Sequence, residues 1–529
     1  MKVLTDGKPE RQVAAAQILA ELKPSEPLVV KALASRLGNG EPHLTRYVLE
    51  ALAAIGTEDA TRALLERLRI GGAESEQIAL LMSREENATS ARYLASVFDD
   101  ADLELRCRIL SIVGRQNGKE AIAVLRKALL SPEPTLADAA LRSLHEVVPR
   151  LPGDRRAALT EQIKKDVEHK DIREAPLAYG LRALGVLDPI GARAVLLKFA
   201  GPRHPAVVRQ AALHALVGVD LTPAQAETLL GYLSEQDMTY VVRPAIAVLA
   251  RVEKWSAGAV TKLKALLETG TDETRVFALQ ALRHCKTEAV AEVCLHWLQN
   301  GGEAFHDAAI EALSANPAAL EPLVQAFTRE KDVAAARRLG VPLVRLGPHF
   351  TPDHVRALTE RAARQVSNGE PLGDVTLHVV LSAARDLAME DFADRALKLR
   401  RAKKSPEAHN LLMRVATHAP LSPEAQYQLA LCKLVAENGA LPRGENSTSG
   451  NATMGYFASL VRDGFPLLER LKKEALLQPE HLLRLGAHFA EGVGTERRFG
   501  AEVLQFVVAK HPRVKASEQA RLVLRAENL

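Results

Sequence analysis

Cations crowd one stretch of this sequence. Arg395, Lys398, Arg400, Arg401, Lys403 and Lys404 are six in ten residues, and Arg356, Arg361 and Arg364 precede them. Such a density attracts an acidic partner or a phosphate backbone. It equally suits a solvated helix end, where cations offset the negative C-terminus. A second cluster, His284, Cys285, Cys294 and His296, offers the imidazole and thiolate groups that bind zinc. Its spacing matches no paired Cys-x-x-Cys site, and Cys294 falls within VAEVCLHWL, where a small buried residue fits. Core packing is the preferred reading there, and no metal or cofactor is expected. Trp255 and Glu253 form an aromatic–acid pair, but Trp255 stands at a helix entry, where an aromatic packs as a staple. Glycine-rich phosphate loops, a nucleophile elbow and His-Glu-x-x-His are all missing from the sequence. No catalytic residue is expected.

The elements that must hold these residues are short amphipathic helices. The clearest copy is His204 to Gln236, where Val208, Ala211, Ala212, Leu216 and Val217 follow the spacing of one helix face. Gly218 and Asp220 break the pattern, and Thr222-Pro223 restarts a helix with a capping hydroxyl and a first-turn proline. One such pair cannot bury its own apolar face, so copies must stack on both sides. Equivalent first-helix positions fall near Arg46, Glu76, Arg106, Ala137, Leu177, Arg209, Arg243, Arg275 and His306. Composition agrees: 47% of residues are hydrophobic, many of them the helix formers Ala and Leu, and only 4% are aromatic. Ser131-Pro132, Thr222-Pro223, Thr351-Pro352, Ser405-Pro406 and Ser422-Pro423 read as helix starts.

Val208-Arg209-x-Ala211-Ala212 and Thr274-Arg275-x-x-Ala278, with a proline upstream in several copies, resemble HEAT repeats of the short bacterial kind. The resemblance covers most of residues 1–370 and implies a binding scaffold with no particular ligand. The third copy lacks both Pro and Arg. It and the eleventh, where Arg337, Arg338 and Gly340 interrupt the apolar face, depart most from the pattern. HEAT-like deoxyhypusine hydroxylases bind iron through several His-Glu pairs, whereas only His145-Glu146 stands here in that order. HEAT-like DNA glycosylases hold a damaged base against Trp beside an acidic residue, a role that the helix-entry position of Trp255, near Glu253, does not favour.

Past residue 370 the spacing changes. Phe392, Ala396, Leu399, Ala408, Leu412, Val415 and Pro420 resemble the small-and-large pattern of a tetratricopeptide repeat, which assigns 371–437 to such hairpins. LLRLGAHF with Gly500, Leu504, Val507 and Pro512 assigns 456–529 likewise. Between them, 438–455 is rich in Gly, Ser, Asn and Thr and reads as a flexible loop. Asn87, Asn446 and Asn451 lie in glycosylation sequons, which matter only after secretion.

Together these residues predict an all-α solenoid, a superhelix of stacked helical hairpins. The expected role is a non-enzymatic scaffold that holds a protein or peptide along its concave face. A nucleic-acid binder using the basic patch is the second reading, and an enzyme like the HEAT-like bilin lyases a third, supported by no particular residue. The net charge of +4 is too mild to favour nucleic acid by itself. No apolar run approaches the roughly eighteen residues of a membrane span. MKVLTDGKPERQ carries no apolar signal region and the four cysteines are sparse, so the expected compartment is the cytoplasm.

Overall fold

The computed structural model describes the whole chain except residues 1, 7, 38–40, 85–87, 117, 234–238 and 437–447. Among the described residues it forms 32 α-helices and three short 3-10 turns, with no strand. The protein is an all-α solenoid. The chain divides into two compact units, Met1–Thr274 and Arg275–Leu529.

In the first unit, helices alternate between two layers; from Pro9 to Leu129 each packs along the next helix of its own layer, and several also pack across to the other layer, as Pro42–Ile55 does on Glu58–Ile70. Pro9–Leu22, Pro42–Ile55, Ser75–Met82 and Leu103–Val113 follow one another in one layer, and Pro27–Ala34, Glu58–Ile70, Ala88–Val97 and Lys119–Leu129 in the other. The helix Ala206–Leu216 shows why. Val208, Ala211, Ala212, Leu213 and Leu216 are each at most 1% exposed, and each large aliphatic side chain so buried contributes roughly 1.5–3 kcal/mol. Val217, assigned to that face from its spacing, instead stands 47% exposed. The helix ends there, because the Val217 backbone is extended. Thr222 caps the next helix in a capping box: its hydroxyl accepts from Gln225 N at 3.3 Å, and the Gln225 side chain accepts from Thr222 N at 3.0 Å.

Successive helices of one layer run parallel, and ion pairs join like ends. In the first unit Lys127 meets Asp99 at 2.6 Å, both at or just beyond helix C-termini. In the second unit Arg345 meets Glu311 at 2.5 Å near two C-termini, and His354 meets Glu321 at 3.0 Å near two N-termini. That order stops at Ala384, the single residue between helices Leu372–Ala383 and Arg385–Arg401. Beyond it Thr359 bonds to Asp391 and Arg356 to Arg395, so paired positions run in opposite senses. The start of Leu372–Ala383 likewise meets the end of Ser405–His418, through Asp374 with Arg414 and His418.

Residues 448–455, expected within a loop, begin the helix Thr448–Arg462. Met454, Phe457 and Leu460 sit in the C-terminal hydrophobic core with Leu467, Leu482 and Phe489, and this packing overrides a weak helix propensity. The rest of that expected loop up to 447 lies outside the described residues, as do Asn446 and Asn87. The close helix pair Pro479–Ala490 and Gly494–Lys510 depends on Gly500, where a Cβ would come within 2.4 Å of Ala490 N.

Candidate binding surface

Helix Arg385–Arg401 carries most of the basic cluster, and its two faces treat the cations differently. Phe392 and Ala396 are fully buried and fix the helix. Arg395 is held inward: Nε donates to Asp391 at 2.5 Å and Nη2 to the Arg356 carbonyl at 3.0 Å. Arg400 is 2% exposed and pairs with Glu474 at 2.6 Å across 74 positions of sequence. Its Nε and Nη1, the Tyr427 hydroxyl and the Gln428 Oε1 are buried nearby without a hydrogen-bond partner among the described residues. Burial raises the Tyr427 phenol, helped by Glu474, and pushes the Cys432 thiol up to about 11. Arg395 and Arg400 are therefore anchors.

The remaining four cations stand on the surface. Lys398 pairs with Asp394 at 2.6 Å, and Lys404 with Glu407 at 3.1 Å. Arg401 and Lys403 are exposed, with no ion pair among the described residues. Lys403 has φ 59, the left-handed conformation that usually selects glycine after a helix. Its N–H donates to Arg400 O and that of Lys404 to Leu399 O, both at 2.9 Å, which together close the helix end.

On the preceding repeat the three arginines part company. Arg356 is tied to Asp353 at 3.0 Å and receives Arg395 on its carbonyl, so these two are brought together. Arg361 is 6% exposed, donates to the Glu330 carbonyl and lies over Phe327 at 5.4 Å. Burial lowers its guanidinium from the ordinary value, against Glu330 and Glu370, which raise it. With the Gln365 amide oxygen turned toward it, Nε gains an acceptor at 3.0 Å. Arg364 remains exposed.

The repeated arginine of the first helices also has several jobs. Arg209 is 7% exposed and donates to Ala200 O at 3.2 Å and Tyr232 O at 2.9 Å, satisfying carbonyls at two helix ends. Arg106 bonds to the Asp99 carbonyl, Arg46 pairs with Glu50, Arg243 with Glu273, and Arg275 lies over Trp297.

The other sequence candidates are dispersed. Cys294 is 1% exposed, and burial raises the half-exposed Cys285 thiol. His296 contacts Asn300. Glu146, beside His145, pairs with Arg115 at 3.4 Å. Trp255 is half-buried just before the helix Ala257–Thr269, while Glu253 is exposed. Among the described residues, no three His, Cys, Asp or Glu side chains gather to hold a metal ion, and no helix is long and apolar enough to cross a membrane.

Fold and surface together define an all-α helical-repeat protein with a cationic helix end. No family model and no curated protein matches the chain. Solved structures similar to it include the karyopherin Kap121p bound to the extreme C-terminus of the protein phosphatase Cdc14p, at 11% identity and a TM-score of 0.40, covering 100% of this chain and 79% of that one. Kap121p bound to Ste12p gives 11% identity and 0.38, covering 100% and 78%. A homology model of the full-length AP-3 complex in an intermediate open conformation gives 10% and 0.36, covering 98% and 94%. Likeness at this level transfers neither a partner nor a residue role.

Proposed function

We propose that this chain is a non-enzymatic scaffold that holds an acidic protein or peptide along the concave face of its stacked hairpins, gripped by the cations of Lys398–Lys404. One observation carries the reading. Lys398, Arg401, Lys403 and Lys404 stand at the surface on a helix end whose other two cations, Arg395 and Arg400, are pinned inward. A charged surface on an immobilised base loses little entropy on binding. Arg356 and Arg364 extend the same reading, with Arg361 as a buried support. The hairpins from 371 are taken as tetratricopeptide-like, in keeping with the full burial of Phe392, Ala396, Ala408, Leu412 and Val415. The reading also takes the protein as cytoplasmic, in keeping with four free cysteines.

The test is to replace Lys398, Arg401 and Lys404 together with Glu. Their surface ion pairs are worth only about 0.2–1 kcal/mol each, so the melting temperature should hardly move. Binding of the natural partner should weaken and lose its salt dependence. Unchanged capture and an unchanged salt response would make the cluster a solvated helix end. A salt-sensitive shift with DNA or RNA, abolished by the same replacement, would favour the nucleic-acid reading.

A further inference from the structure

The first-layer copy interrupted by Arg337, Arg338 and Gly340 borders an open groove of about 600 Å³ within the C-terminal unit. Helix Val333–Arg345 forms one wall and Leu372–Ala383 the other, with His418 from the end of Ser405–His418 at the rim. The two walls nearly touch at their base. A Cβ on residue 340 would lie 2.6 Å from Val379 Cγ2, so only glycine permits this approach. Val341, Val344, Val375 and Val379 supply the apolar lining, and Val341 is 41% exposed.

The groove lies beside the point where parallel stacking stops. A parallel neighbour would lie along the flank of Leu372–Ala383. The reversed helix instead meets Asp374 through Arg414, at 2.7 Å from Nε, and through His418 at 3.2 Å. Those contacts neutralise Asp374, and Arg345 does the same for Glu311 at 2.5 Å. Arg337 and His378 are exposed and have no ion-pair partner among the described residues. The rim is thus left with unpaired basic groups above an aliphatic floor.

We infer that this groove binds a peptide segment in which an aliphatic side chain stands beside a carboxylate, the aliphatic group on the valines and the carboxylate on Arg337. A lysine-flanked segment would meet like charge, and a purely polar one would leave the accessible Val341 and Val344 wet. The inference rests on the scaffold reading but uses a surface separate from Lys398–Lys404. The test is to select a displayed random-peptide library on the intact chain, then measure synthetic winners against Val341→Asp and Arg337→Glu. Both positions are exposed, and an unchanged circular-dichroism melt verifies that each variant folds. Winners should pair Leu, Ile or Val with Asp or Glu, and each variant should weaken them by about tenfold or more. Failure to enrich any peptide, winners without that pairing, or winners that bind both variants undiminished would overturn it. The triple Lys/Arg→Glu protein should bind the same winners normally, which separates failure of the groove from failure of the cationic helix end.

Discussion

Arg400 and Lys403 are three positions apart in one basic run, yet their energetics differ in kind. Arg400 and Glu474 form an ion pair with side-chain exposures of 3% and 16%. Removing one partner leaves a buried charge, so Arg400→Met or Glu474→Gln should cost about 3–5 kcal/mol. Replacing both by apolar residues should recover much of that loss, and a double-mutant cycle by urea denaturation measures it. Lys403 is the opposite case. Its left-handed backbone costs an L-residue about 1–2 kcal/mol, so Lys403→Gly should stabilise the protein by roughly 0.5–1 kcal/mol after the extra chain entropy is counted. If the helix end grips an acidic partner, the same variant binds it more weakly. A gain in melting temperature with unchanged binding would confirm the backbone strain and exclude Lys403 from the grip. Lys23 adopts the same conformation at another helix end, so the backbone alone does not argue for binding.

Among the elements, helix starts show how a cap couples to pH. Thr222, Thr351 and Ser422 each accept from the third amide of their helix. Ser131 and Ser405 do not, because their helices begin at Pro134 and at Ser405 itself. Pro479–Ala490 uses His481 instead, whose Nδ1 accepts from Gln478 N at 3.0 Å. That bond needs an unprotonated ring nitrogen. Burial lowers the His481 imidazole, Arg484 lowers it further, and Glu480 opposes them. A histidine depressed on folding binds fewer protons in the native state, so stability is fully present above the unfolded value of about 6.5 and falls as pH drops through the folded value. Thermal melts between about pH 7.5 and 5 should show this loss. His481→Gln, which can accept the same bond without titrating, should reduce it. If wild type and variant decline in parallel, the cap is not the sensor.

At the scale of the whole molecule, stability comes from neighbour on neighbour rather than from one core. Unfolding should be broader than a two-state domain of 529 residues allows, with calorimetric and van't Hoff enthalpies that disagree. A single sharp transition with equal enthalpies would refute that. The helical repeats were legible in the sequence because apolar periodicity is local: Val208, Ala211 and Ala212 declare a face without reference to anything distant. The turn chemistry of Thr222-Pro223 was legible for the same reason. The fate of each cation was not. Arg361 turns inward because the Glu330 carbonyl and the Phe327 ring come from the previous repeat, while Arg364, one turn on, stays exposed. Arg400 found Glu474, a partner no local pattern names. Gly340 and Arg337 read only as flaws in an apolar stripe until the close approach of Val379 and the reversal after Ala384 placed them at a groove. Period and capping are properties of consecutive residues, so the sequence alone determined the class of fold. Burial and pairing belong to residues brought together from different repeats, so only the tertiary structure decided which charges are spent and which are offered.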